Sequence, residues 1–170
     1  EYKQAREYCD ELTPKLTDFD VQFKRQLLTS EVRPDLEREF GTQCFALWES
    51  DVLTFDPAIE ESLVKESKLE AEYNELLASA QLLFQGETYN LAGMGKFRVD
   101  RDRQVRYDAN QVTWSWFSKN RSQLDRIYDD LVRLRTAMAH ELGFDDFIGL
   151  AYKRMNRIDY TQADVERYRA

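Results

Sequence analysis

Only 6 Gly and 3 Pro punctuate this chain of 170 residues, so there are few points at which its backbone can turn sharply. That scarcity favours long helices, because short strands must be joined by turns that Gly and Pro supply. The fold class expected is all-α, a mostly helical array. The exception lies near 82–91, where Leu82-Leu83-Phe84 and Thr88-Tyr89 flank Gln85-Gly86; β-prone residues on either side of a tight turn predict one small hairpin. A hydrophobic fraction of 42% suffices for a packed core and excludes a disordered chain. The length suits a single helical domain or subdomain over 1–170, not two full domains.

Local signals divide the helices. Thr13-Pro14 joins a capping hydroxyl to a residue suited to the first helical position, which predicts a break between a helix over 1–12 and another reaching about Thr29. Pro34 to Phe40 reads as a short helix ended by Gly41, followed by one over Cys44 to Val52. Asp56-Pro57 repeats the capping logic and opens a long helix through Ala80. Along it Ile59, Leu63, Tyr73, Leu77 and Ala80 form an apolar stripe interrupted by Glu66 and Glu70. Carboxylates in such a stripe predict either a paired, partly buried network or the face of a wet groove. Gly93 and Gly95 lack the flanking strand and helix of a phosphate loop and read as a bend. Two amphipathic helices follow, over about 101–119 and 122–142, and Arg135 falls on the apolar face of the second. A guanidinium cannot shed its charge, so it requires a carboxylate or helix-end carbonyls there. Short helices near 145–155 and 163–169 complete the chain. The last stops without a cap at its C-terminal end and the first residue is Glu1, not Met, so truncation at both ends is expected.

The charge narrows the function classes. A net charge of -8 argues against a nucleic-acid partner, whose phosphates attract an excess of Lys and Arg. The acidity resides in the first half, and residues 81–170 are mildly basic. No apolar run approaches the roughly 18 residues of a membrane span, and no leader pattern is present, so no membrane partner is expected. Cys9 and Cys44 have no metal-ligand spacing and read as free thiols of a reducing, cytoplasmic compartment.

His140 is the sole histidine, and His140-Glu141 resembles the opening of the zinc motif H-E-x-x-H. The fifth position is Phe144, however, and that chemistry needs two imidazoles one helical turn apart on a single ion. Gly143 reads as a left-handed helix terminator, so His140 is expected to be a helix-end residue. One histidine likewise cannot supply the two Glu-x-x-His pairs of a di-iron bundle, and no catalytic triad is assigned.

The segment Leu142 to Tyr160 carries Gly143, Phe144, Phe147, Tyr152, Arg154, Met155, Arg157, Asp159 and Tyr160 in an order that resembles the oligoendopeptidase F family, zinc metallopeptidases of the thimet oligopeptidase superfamily. The likeness extends upstream through Glu66, Leu69, Tyr73, Ala78-Ser79-Ala80, Phe84 and Gly86. It continues through Leu124-Asp125, Ile127-Tyr128-Asp129, Leu131-Val132, Arg135-Thr136 and Met138-Ala139. The resemblance implies an N-terminal to middle helical fragment that walls the channel of an enzyme hydrolysing internal bonds of short peptides. Its zinc would be bound outside this chain, and its partners would be oligopeptide substrates and the metal-binding domain. No catalytic, cofactor-binding or metal-ligating residue is assigned here. Arg154 and Arg157 are the candidates for peptide or interdomain contact, against the alternative of ion pairs with Asp159 or Asp164. A stand-alone helical interaction module without activity is the competing reading.

Overall fold

The computed structural model describes residues 2–170, with side chains from residue 4 onward. It is mostly helical, with one small antiparallel hairpin among the described residues. The helices are α1 (Tyr2–Leu28), α2 (Arg33–Phe40), α3 (Thr42–Leu53), α4 (Glu60–Ala78), α5 (Arg103–Lys119), α6 (Arg121–Glu141), α7 (Phe147–Arg154) and α8 (Gln162–Arg169). Strands β1 (Leu82–Phe84) and β2 (Glu87–Tyr89) lie between α4 and α5, and 3-10 turns occupy Pro57–Ile59 and Gly93–Val99. Among the described residues no helix is long and apolar enough to cross a membrane.

Contacts group the chain into two compact units, a finer division than the single domain or subdomain read from length. One contains the residues up to Glu66 together with Arg133–Ala170; the other is Ser67–Val132. The apolar stripe of α4 is divided accordingly. Ile59 and Leu63 enter the core of the first unit and Ala80 that of the second, while Tyr73 is exposed. Tyr128 of α6 is also exposed.

In the first unit, Ile59, Met138, Ala139 and Leu150 are buried among Leu63, Leu134, Leu142, Phe144 and Phe147. Burial of Ile59, Met138 and Leu150 contributes about 1.5–3 kcal/mol each. Helix α1 packs on α3, and α3 on α7, where the Ser50 hydroxyl donates to the Lys153 carbonyl at 3.1 Å. Asp56 caps the Pro57–Ile59 turn by accepting from the Ala58 N–H at 2.9 Å, as Asp56-Pro57 predicts.

The expected break at Thr13-Pro14 does not occur, and α1 runs unbroken from Tyr2 to Leu28 with Pro14 inside it. Thr13 does not cap. Its hydroxyl turns back to the Cys9 carbonyl at 2.7 Å, and Thr17 does the same to Thr13 at 2.9 Å, bonds that belong to a helix interior. Pro14 is buried, so the packing of α1 offsets the one backbone bond its ring removes.

The second unit is built on the hairpin, with register Leu82 to Tyr89, Leu83 to Thr88 and Phe84 to Glu87. Gln85 and Gly86 both take positive φ, 50° and 84°, the two-residue turn whose twist matches that of the paired strands. Leu82, Phe84, Met94, Phe97, Ala80 and Ala109 form its core, and the Phe84 and Phe97 rings meet edge-on at 4.8 Å. The Gly93–Gly95 bend is part of a longer 3-10 turn through Val99 that carries Met94 and Phe97 inward.

Candidate functional site

The end of α6 shows what His140-Glu141 is. Gly143 takes φ 82°, the Gly143 N–H donates to the His140 carbonyl at 3.0 Å, and the Phe144 N–H donates to the Ala139 carbonyl at 2.9 Å. This pair of bonds is a Schellman closure, which ends the helix and turns the chain away. Phe144, at the position of a second zinc histidine, therefore lies beyond the helix and packs against the apolar core. His140 Nε2 lies 3.0 Å from the Asp145 carbonyl oxygen, a bond that ties the helix end to the loop before α7. The zinc that the resemblance implies does not fit these residues. Among the described residues no three His, Cys, Asp or Glu side chains gather as metal ligands.

Helix α7 starts cleanly. Asp146, in extended conformation, accepts from the N–H groups of Ile148 and Gly149 at 2.8 and 3.1 Å, so its carboxylate satisfies two of the donors left free at a helix N-terminus. Gly149 leaves room for the Phe144 ring: a Cβ there would stand 3.1 Å from it, so a larger residue requires the ring to shift by a few tenths of an ångström. The helix ends in a second Schellman closure. Asn156 takes φ 54°, its N–H donates to the Lys153 carbonyl at 2.8 Å, and the Arg157 N–H donates to the Tyr152 carbonyl at 2.9 Å. The closure sets the Arg157 guanidinium 4.8 Å from the centre of the Tyr152 ring and 5.8 Å from that of Tyr160. In this closure a cation on a ring takes the place of the hydrophobic contact that usually accompanies the motif.

The two candidate arginines thus have different fates. Arg154 pairs with Glu66, 88 residues away in sequence, with two N–H to oxygen distances of 3.2 and 2.8 Å. The expected local partners, Asp159 and Asp164, do not take it. Asp164 forms the capping box of α8 with Thr161 and pairs with Arg167, and these bonds hold its carboxyl below the usual carboxylate range. Arg135 also binds Glu66, through Nε at 2.5 Å, and lies 5.6 Å over the Phe147 ring. The alternatives left open for the stripe carboxylates are settled for Glu66, which is buried and paired. Burial opposes its ionisation, but hydrogen bonds and charge from Arg154 and Arg135 prevail and lower its pKa.

Arg157 has no such partner. Among the described residues its guanidinium contacts rings and makes no ion pair. It borders an open groove of about 300 Å³ with Lys153, Ile148, Ile158, Phe144 and the two tyrosines. The sequence pointed to Arg154 and Arg157 together as candidate contacts, and only Arg157 lines this groove. The groove itself was not legible, because the spacing of Tyr152, Arg157 and Tyr160 acquires meaning only once Asn156 reverses the chain.

Comparison with known proteins gives a consistent pattern. Residues 1–55 match the peptidase M3 N-terminal domain. A solved structure assigned as oligoendopeptidase F shares 40% identity and a TM-score of 0.93 over 99% of this chain and 30% of that one. One from Bacillus anthracis strain Ames, assigned likewise, shares 37% identity and a TM-score of 0.92 over 99% and 31%. PZ peptidase A, solved with an inhibitor, shares 39% identity and a TM-score of 0.93 over 99% and 30%. No curated protein matches significantly. The chain spans about 30% of the length of these relatives.

Proposed function

Because this chain belongs to the oligoendopeptidase F family of M3 peptidases, we propose that it is a helical wall segment of a zinc-dependent oligoendopeptidase, with the metal held by residues outside it. The parent enzyme hydrolyses internal bonds of short peptides in the cytoplasm, and this segment narrows access to the reacting centre instead of performing chemistry. The observation that supports this reading is the near-complete alignment of this chain with only about 30% of each relative. Two free cysteines fit a reducing compartment. The chain's own residues contribute surfaces: Arg154 is committed mainly to holding α7 against α4 through Glu66, and Arg157 faces outward to meet peptide or the neighbouring metal-binding domain.

The test compares residues 1–170 with the parent chain on internally quenched peptides, with metal content measured in parallel. The isolated chain should show no turnover and no stoichiometric zinc, and the parent reading frame should encode H-E-x-x-H downstream. Turnover with tight zinc by residues 1–170 alone would overturn the proposal, and a natural stop codon directly after Ala170 would favour a stand-alone interaction module.

A further inference from the structure

The groove beside α7 has a charge opposite to that of the chain. Against 32 acidic and 24 basic residues overall, its lining includes Lys153 and Arg157 and no Asp or Glu. Arg157 is also held in place, with its backbone N–H bound to the Tyr152 carbonyl and its guanidinium over the rings of Tyr152 and Tyr160. Ring contacts occupy the face of a guanidinium and leave its in-plane N–H fork free, and that fork matches a carboxylate in bidentate fashion. The nearby Asp164 is already committed to Thr161 and Arg167 and does not supply that carboxylate. The rest of the lining is largely apolar, with Ile148 and Tyr160 substantially exposed. A volume of about 300 Å³ is at the small end of ligand pockets, suited to a terminal residue rather than to a long extended segment.

We infer that this groove binds the free C-terminal carboxylate of a short peptide whose last side chain is aromatic or branched aliphatic. Arg157 takes the carboxylate, Lys153 adds charge at the rim, and the terminal side chain lies on Ile148, Ile158 and the tyrosine rings. The identity of the ligand as a peptide rests on the peptidase reading above; the anion-binding geometry does not. A receptor for a chain end favours short peptides over internal loops of folded proteins, because a loop has no terminal carboxylate to offer.

The probe is acetyl-Ala-Ala-Phe, as free acid and as C-terminal amide, titrated into the full 170-residue chain at low ionic strength and followed by amide and Arg Nε–H nuclear magnetic resonance. The acid should shift the Arg157 Nε–H and the amides of 148–162, and bind roughly tenfold or more tightly than the amide. Arg157→Gln should abolish the preference for the acid, Arg157→Lys should keep part of it, and Lys153→Gln should weaken acid binding less than Arg157→Gln. Equal binding of acid and amide, no binding at millimolar peptide, or shifts confined to other surfaces would each overturn the inference. If Arg157→Gln fails to fold, the acid-to-amide comparison on the unmodified chain decides alone. A parent enzyme that cleaves peptides while this chain shows no acid preference sinks only the inference, whereas a preference without any peptide cleavage by the parent sinks only the peptidase reading.

Discussion

Replacing Glu66 by Gln should be among the most damaging single substitutions in the first unit. The Glu66 side chain is 5% exposed and binds two arginines, Arg135 at 2.5 Å and Arg154 at 2.8 Å, from helices α6 and α7. Gln keeps the shape and removes the charge, leaving two guanidinium groups facing one amide. Breaking a fully buried pair by removing one partner costs about 3–5 kcal/mol, but the arginine side chains here are 29% and 32% exposed, so water reclaims part of their charge. A loss of about 2–3 kcal/mol is expected, or roughly a 1 M drop in the urea midpoint for a chain of this size. Urea unfolding by far-ultraviolet circular dichroism measures the total, and native-state hydrogen exchange locates it. Protection should fall first in α7 and the second half of α6. Replacing all three by apolar residues (Glu66→Leu, Arg135→Met, Arg154→Met) should recover most of the loss, because an apolar replacement removes the desolvation cost along with the attraction.

The pH dependence has a definite sign. The Glu66 carboxyl titrates lower in the folded chain than its ordinary value of 4.5, so the unfolded chain takes up the proton first as pH falls. The contribution of the triad is therefore complete above the unfolded value and is lost as pH drops through the folded one. The stability gap between the native chain and Glu66→Gln should be constant at neutral pH and shrink on acidification below about 4.5. A Glu66→Gln variant within about 0.5 kcal/mol of the parent, or a gap that widens in acid, would refute the network argument.

Three further substitutions test local geometry. Gly143→Ala should cost about 1–2 kcal/mol from its φ of 82° alone, since a Cβ there meets nothing within 4 Å; thermal melting reads the loss, and no loss would deny the closure. Asp146→Ala should cost about 1 kcal/mol by freeing the N–H groups of Ile148 and Gly149, seen as faster exchange of those two amides. Pro14→Ala supplies an N–H that can donate to the Asp10 carbonyl but vacates a buried site, so the new amide at position 14 should be protected from exchange while overall stability changes by less than the roughly 3 kcal/mol a solvent-exposed helix interior would return.

What could be read in advance was set by neighbours along the chain. Asp56-Pro57, Gly41, Gly143 and Gln85-Gly86 act through their own backbone angles and nearby N–H groups, so the helix ends and the hairpin were legible. The family likeness was legible for a related reason, since it resides in the order of residues. That His140-Glu141 closes a helix also follows locally, from Gly143 two residues on.

Tertiary structure decided the rest. Thr13-Pro14 has the form of a helix start, and only the packing of α1, with Pro14 buried, keeps that helix whole. Glu66 could be recognised as needing a partner, but Arg135 and Arg154 are brought to it by the folding together of α4, α6 and α7, across 69 and 88 residues. Asp159 and Asp164, close in sequence, lose Arg154 because the left-handed turn at Asn156 redirects the chain beyond it. Local signals thus determined most of the helix ends, which depend on local sterics, and the order of residues carried the family resemblance. Which charge meets which, and which arginine is left free, required the fold, because a buried carboxylate is satisfied by whatever the packing delivers within hydrogen-bond reach.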